Sequence, residues 1–202
     1  MHDPPPVEPA ARRDRLGALR DQLTLPLICA PMFLVSGPDL VIAACRHGVV
    51  GAFPAPNARP LEVLDAWMAR ITAELADTRR AEPGRRVAPW SLNLVVHSSY
   101  DRLPAEPELV ERHRPPLVIT ALGSPARVIE TVHGYGGLVL ADVGNIAMAR
   151  KAAQAGVDGL ILVSTGAGGH TGSVSPFVFV QAVRQFFDGI IVLAGGLCSG
   201  GA

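Results

Sequence analysis

This 202-residue chain is poor in aromatic side chains: two Trp, two Tyr and six Phe, 5% in all. A core built from it must therefore be aliphatic. It lacks a charge excess, with 18 basic and 18 acidic residues. That argues against a nucleic-acid partner, whose phosphates need a basic surplus to neutralise them. Cysteine is scarce as well: Cys29, Cys45 and Cys198 are odd in number and scattered. A disulfide framework is not expected, and a reducing, cytoplasmic setting is the default. No cysteine–histidine spacing matches a metal site. No run approaches ~18 uninterrupted apolar residues, so no membrane span is expected. The amino-terminal stretch opens with Pro4-Pro5-Pro6, turns charged, and has no apolar core of a secretory signal.

Aliphatic residues are what the chain does have; 49% of it is hydrophobic. They gather in short continuous runs: Leu25–Pro31, Val49–Phe53, Trp90–Val96, Leu117–Ala121, Leu138–Asp142, Gly159–Val163 and Ile190–Ala194. Continuous rather than alternating runs mark strands covered on both faces, as in a parallel sheet. Helical patterns fill the gaps: Pro38–His47, Pro60–Leu75, Pro107–Arg112, Pro125–His133, Ile146–Ala155 and Pro176–Phe187. Gly37-Pro38, Ser124-Pro125 and Ser175-Pro176 place a capping residue before a first-turn proline. Gly48, Gly134 and Gly156 mark helix ends. A loose amino-terminal segment (residues 1–20) precedes a single domain (21–202), with a short amphipathic stretch from Arg12 to Leu23.

Seven strands alternating with six helices imply right-handed βαβ units. The reading is a TIM-type (β/α)8 barrel cut short after strand seven, since the complete fold has eight of each and about 250 residues. An open doubly wound sheet is the alternative. Strands one and seven would then be bare edges, closed by a partner chain or left exposed in a truncated product.

In either architecture ligands bind at the carboxyl ends of the strands. The sixth strand ends in Ser164-Thr165-Gly166-Ala167-Gly168-Gly169-His170-Thr171-Gly172, and the seventh in Ala194-Gly195-Gly196. Glycines let backbone N–H groups reach an anion, and two such loops side by side could cradle a phosphate. His170 sits among them with the side chain best suited to proton transfer near neutral pH, and is the candidate catalytic or substrate-contacting residue. His97, at the end of the third strand, is read equally as a substrate contact or a solvated residue beside Ser98 and Ser99. Asp142 ends the fifth strand in apolar company, so it is either a site residue or paired with a backbone donor. Asn93 must be hydrogen-bonded, to a ligand or to a neighbouring strand. His47, His113 and His133 sit near helix ends, where the dipole explains them. Arg79-Arg80 and Arg85-Arg86 read as a solvated loop.

These motifs also carry a family resemblance. Ala30-Pro31-Met32 with Ser36-Gly37, Asn93, Gly168-Gly169-His170-Thr171-Gly172 with Ser175-Pro176, and Ala194-Gly195-Gly196 resemble the nitronate monooxygenases, formerly called 2-nitropropane dioxygenases. The likeness runs from about Leu16 to the last residue; the glycine–glycine–histidine block is its most specific part. It implies an FMN-binding barrel that oxidises alkyl nitronates or nitroalkanes with O2, with His170 catalytic. It implies that Met32, Asn93, Gly168, Gly169, Gly195 and Gly196 contact the flavin or its phosphate; Ala30 and Asp142 are further candidate cofactor contacts, and Ser36 and His97 candidate substrate contacts. No metal is implied; an oligomer is compatible. Thr165-Gly166-Ala167 departs from family members that carry a Glu there, and the family's eighth strand and Gly-Thr segment are not in this chain. A flavin-dependent NAD(P)H enoyl-thioester or quinone reductase, and a non-catalytic barrel fragment, are the alternatives.

Overall fold

The computed structural model describes residues 17–200. Most of the expected amphipathic stretch and of the loose leading segment lies outside them; residues 17–21 are helical. The strands are β1 (Ile28–Cys29), β2 (Val50–Pro54), β3 (Trp90–Val95), β4 (Leu117–Ala121), β5 (Leu138–Val143), β6 (Gly159–Val163) and β7 (Ile190–Ala194). Between them run α1 (Pro38–Arg46), α2 (Leu61–Ala81), α3 (Glu106–His113), α4 (Ala126–Gly134), α5 (Ile146–Gln154) and α6 (Pro176–Arg184), with a 3-10 turn at Ala55–Asn57.

All strands are parallel, and their order in the sheet is their order in the chain, β1 to β7. A doubly wound sheet reverses order at its switch point. None reverses here, so the winding is that of a TIM-type barrel lacking one strand, as the sequence implies. The two faces differ accordingly. The outer face packs on the helices through residues such as Phe53, Leu92, Leu94, Val118, Val139 and Leu160. The inner face is a smaller aliphatic core of Ala52, Leu117, Ile119, Leu138, Leu140 and Ile161. Side chains alternate along a strand. Asp142, two residues beyond Leu140, therefore continues the inner face to the upper end of β5.

The edges are short and open. β1 is only two residues long, not the seven read from Leu25–Pro31. Pro26 and Pro31 each lack an N–H, and among the described residues only β2 pairs with β1. Leu25 and Leu27 are exposed, and every residue of β7 is half-buried.

Helix α2 continues to Ala81, past the expected Leu75. Three end signals also shift. Pro125 is itself the cap residue of α4, not its first helical residue. Gly134 closes α4 in helical conformation, and the left-handed turn falls to Gly136 (φ +85°). Ser175 precedes α6 without a side-chain cap, whereas Asn145 caps α5 by accepting the Met148 N–H at 2.8 Å. The arginine cluster is structural rather than merely solvated. Arg79 donates to the Val87 carbonyl at 3.3 Å and Arg85 Nε to the Arg46 carbonyl at 2.6 Å, tying α2 to the lead-in to β3 and its exit to the end of α1.

At the lower end Asp158 enters β6 fully buried. Its Oδ2 accepts the Val139 N–H at 2.8 Å and lies 2.7 Å from His133 Nε2. His133 is thus held by a carboxylate, a partner more specific than the helix dipole. His113 likewise lies 2.5 Å from Asp65, which pulls the Asp65 carboxyl below its ordinary range.

Candidate functional site

The carboxyl ends of the parallel strands form one rim, and the glycine-rich loops stand on it. The β6–α6 loop is closed at its base by the Thr165 N–H, which donates to the Val174 carbonyl at 3.0 Å. The Thr171 hydroxyl donates to the Ser164 carbonyl at 3.1 Å. Ser164 in turn donates through both N–H (2.9 Å) and hydroxyl (2.7 Å) to Ala194 at the end of β7. The loop is therefore fastened to its own strand and to the next one.

Two glycine turns meet there. A β-carbon on Gly195 would stand 2.5 Å from the Ala167 amide nitrogen, and one on Gly166 would stand 3.2 Å from the Gly196 nitrogen. Gly166, Gly169, Gly195 and Gly196 all have left-handed φ, from +68° to +107°. Gly195 is thus required by the contact between loops and by its backbone conformation. Gly168 and Gly169 differ, because nothing lies within 4 Å of where a β-carbon would project. Among the described residues, the N–H groups of Gly168, Gly169, Gly195 and Gly196 have no backbone acceptor. Free donors on an open, glycine-lined ledge suit an anion such as a phosphate. His170 extends this loop, exposed and without a hydrogen-bond partner among the described residues.

Among the described residues, Asp142 is the one acidic side chain on the inner face of the strands. It makes no hydrogen bond among the described residues, and burial pushes its carboxyl up to about 7. Among the described residues there is no backbone donor that would make it purely structural. Asn93 has such a partner: its Nδ2 donates to the Ile119 carbonyl of β4 at 3.3 Å.

The β1–α1 loop lies on the same rim, at the other edge of the sheet. The Ser36 hydroxyl accepts the Met32 N–H at 3.0 Å and donates to the Ala30 carbonyl at 3.4 Å. Ser36 is buried, so its hydroxyl shapes the loop. Met32 is 39% exposed. Among the described residues, no hydrogen bond joins Ala30, Met32 or Ser36 to the β6–β7 turns. At the end of β3, His97 Nδ1 accepts the Ser99 N–H at 3.2 Å and lies 2.7 Å from the Ser99 hydroxyl. A ring nitrogen that accepts a backbone N–H carries a lone pair, so neutral His97 bears its proton on Nε2.

Sequence reasoning missed two groups on this rim. Asn57, in the 3-10 turn after β2, bonds three times to the β1–α1 loop. Glu106 is fully buried, accepts the Tyr100 hydroxyl at 3.0 Å and lies 3.2 Å from Arg102. Arg102 also donates to the Ala58 carbonyl at 2.8 Å, fastening the β3–α3 loop to the one before it. Burial raises the Glu106 carboxyl and drives the Tyr100 phenol up beyond its ordinary range. Asn57 and Ala58 lie beside Pro56, a turn signal; nothing in the sequence pairs Glu106 with Arg102 beyond an i, i+4 spacing.

No family model matches the chain. The nitronate monooxygenase of Neurospora crassa is 28% identical over 205 residues, covering 86% of this chain and 54% of that protein. An octahydroindene-carboxyl-CoA dehydrogenase of Rhodococcus jostii is 26% identical over 175 residues, covering 87% and 46%. The nitroalkane oxidase of Streptomyces ansochromogenes superposes with a TM-score of 0.74 at 23% identity, over 91% of this chain and 62% of that one. This last likeness is one of fold. The chain spans about half the length of the curated relatives it matches. The likeness to a nitronate monooxygenase thus extends along the chain, well beyond the glycine–histidine block.

Proposed function

We propose that this chain is the FMN-binding part of a flavin-dependent oxidoreductase that converts alkyl nitronates or nitroalkanes to carbonyl compounds and nitrite, with O2 as electron acceptor. The observation that carries the reading is the contact between the two glycine turns, with free N–H donors beside it and His170 in the same loop. These residues fit a phosphate group, and Asp142 gives a polar upper end to the aliphatic inner face of the strands. Bound there, FMN would supply the two-electron oxidation and the reaction with O2.

The chain's own residues supply placement and charge. The N–H groups of Gly168, Gly169, Gly195 and Gly196 hold the phosphate, and the fastened loop spares the ordering cost of gripping it. His170, protonated or as an N–H donor, orients the anionic nitro oxygens of a nitronate. As the free base it removes the α-proton of a neutral nitroalkane. Asn93 and Met32 line the approach, His97 offers its Nε2–H to substrate, and Asp142 stands nearest the polar end of the inner face. Three free cysteines agree with a cytoplasmic location.

The test is nitrite release from a nitronate by the FMN-loaded chain, with one carbonyl product per nitrite. A folded, FMN-loaded protein that releases none would refute the assignment. The likeness to a carboxyl-CoA dehydrogenase favours a second reading, a flavin enzyme acting on thioesters with NAD(P)H. Anaerobic bleaching of the bound flavin by NADH or NADPH would select it.

A further inference from the structure

His97 is exposed at the carboxyl end of β3, yet its backbone and its ring are both held. The Val96 N–H before it donates to the Ala121 carbonyl at 2.9 Å. Beyond β4 the chain turns through Leu122 at φ +58°, a left-handed conformation that a leucine keeps only where its surroundings enforce it. The turn presses Gly123 on the end of β3: a β-carbon there would strike the Val96 carbonyl and stand 2.9 Å from the His97 amide nitrogen. The His97 carbonyl accepts the Tyr100 N–H at 3.1 Å, and Nδ1 accepts the Ser99 N–H at 3.2 Å.

The turn that carries His97 is anchored from the interior by one residue. The Tyr100 phenol donates to Glu106 Oε1 at 3.0 Å, and burial keeps that phenol protonated, so it is always the donor. Glu106 is fully buried, with Arg102 Nη2 3.2 Å from the same oxygen and Arg102 Nη1 donating to the Ala58 carbonyl at 2.8 Å. Among the described residues, Glu106 Oε2 and Arg102 Nε have no hydrogen-bond partner. A buried ion pair with unmatched atoms is a weak source of stability. What its geometry does secure is a fixed acceptor for the phenol. Tyr100 therefore joins the two ends of a lever, with its side chain on Glu106 and its N–H on His97.

We propose that Tyr100 is a positioning residue, which through its bonds to Glu106 and to the His97 carbonyl holds His97 with Nε2–H turned to the rim, as a donor to one oxygen of the substrate's anionic group. Tyr100 and Glu106 act only through His97. The inference rests on the reading of His97 as a substrate contact, and not on the reaction that follows binding.

Propionate tests it on the full chain loaded with FMN, because a carboxylate has the planar two-oxygen anion of a nitronate and does not react. His97→Ala should raise the propionate Kd roughly fivefold. Tyr100→Phe keeps the ring that packs on the core and loses only the hydroxyl. It should raise that Kd roughly threefold and speed amide exchange at Ser99 and Tyr100 roughly tenfold. In the double variant the Tyr100→Phe effect should vanish, leaving Kd within about 1.5-fold of His97→Ala alone. A residue that merely stabilised the fold would keep its effect in that background. An unchanged Kd in either single variant, unchanged exchange in Tyr100→Phe, or effects that multiply in the double variant overturns the inference. Should the chain retain no flavin, exchange in Tyr100→Phe decides by the same criterion. Coupled propionate binding without nitrite release from a nitronate keeps this inference and refutes the proposed reaction; nitrite release with independent effects does the reverse.

Discussion

Gly195 and Ala167 approach so closely that a β-carbon on the glycine would stand 2.5 Å from the alanine amide nitrogen. This contact joins the turn after β7 to the loop after β6, and the proposed phosphate ledge depends on it.

Gly195→Ala should therefore be costly twice over. It puts a methyl against backbone and forces φ +107° on an L-residue. We expect a loss of about 2–4 kcal/mol of stability and a larger proportional loss of FMN affinity. Urea unfolding and FMN titration measure the two. Gly168→Ala, where the added carbon meets nothing, should keep stability within about 1 kcal/mol and weaken FMN alone.

His170→Ala removes an exposed side chain with no partner among the described residues. Stability should stay within about 0.5 kcal/mol and flavin content should not change, while kcat falls roughly a hundredfold or more. Denaturation, absorbance and steady-state rates on one preparation check all three.

Asp142 gives the protein a pH-dependent stability of definite sign. Burial raises its carboxyl from 3.8 to about 7, so folding favours the protonated form. The stabilisation is complete below the unfolded value and is lost as pH rises through the folded one, a change on the order of 4 kcal/mol. Asp142→Asn should flatten the profile between pH 4 and pH 8 and exceed the unaltered protein in stability at the upper end. Melting curves across that range supply the comparison.

Asp158 is the counterpart at the lower end of the barrel. Asp158→Ala strips the Val139 N–H and His133 of their buried acceptor, which should cost about 3 kcal/mol. FMN affinity of the remaining folded protein should not change, because the rim is at the opposite end of the strands.

The parts of this molecule that were legible in the sequence are those set by local pattern. The aliphatic runs of β6 and β7 stop where the strands stop, because each is bounded by glycine or a polar residue. The seven-residue run at β1 was misleading. Hydrophobicity marks burial but not pairing, and Pro26 and Pro31 leave only Ile28 and Cys29 on the ladder. The glycine–histidine loop was legible because its residue types serve few other purposes. That Gly195 answers to a protein contact was not, since the contact spans 28 positions between β6 and β7. Asn57, Glu106 and Asp158 escaped for the same reason. Their partners are fixed by the winding of the barrel, and an isolated asparagine or carboxylate in a sequence does not say what it will meet.

The central claim is that the two apposed glycine turns hold a flavin phosphate, and the absorbance spectrum of the purified chain incubated with FMN and then desalted tests it most directly. The account predicts a yellow protein carrying close to one flavin per chain, and a colourless one for Gly195→Ala. A chain that is folded by circular dichroism yet retains no flavin would contradict it.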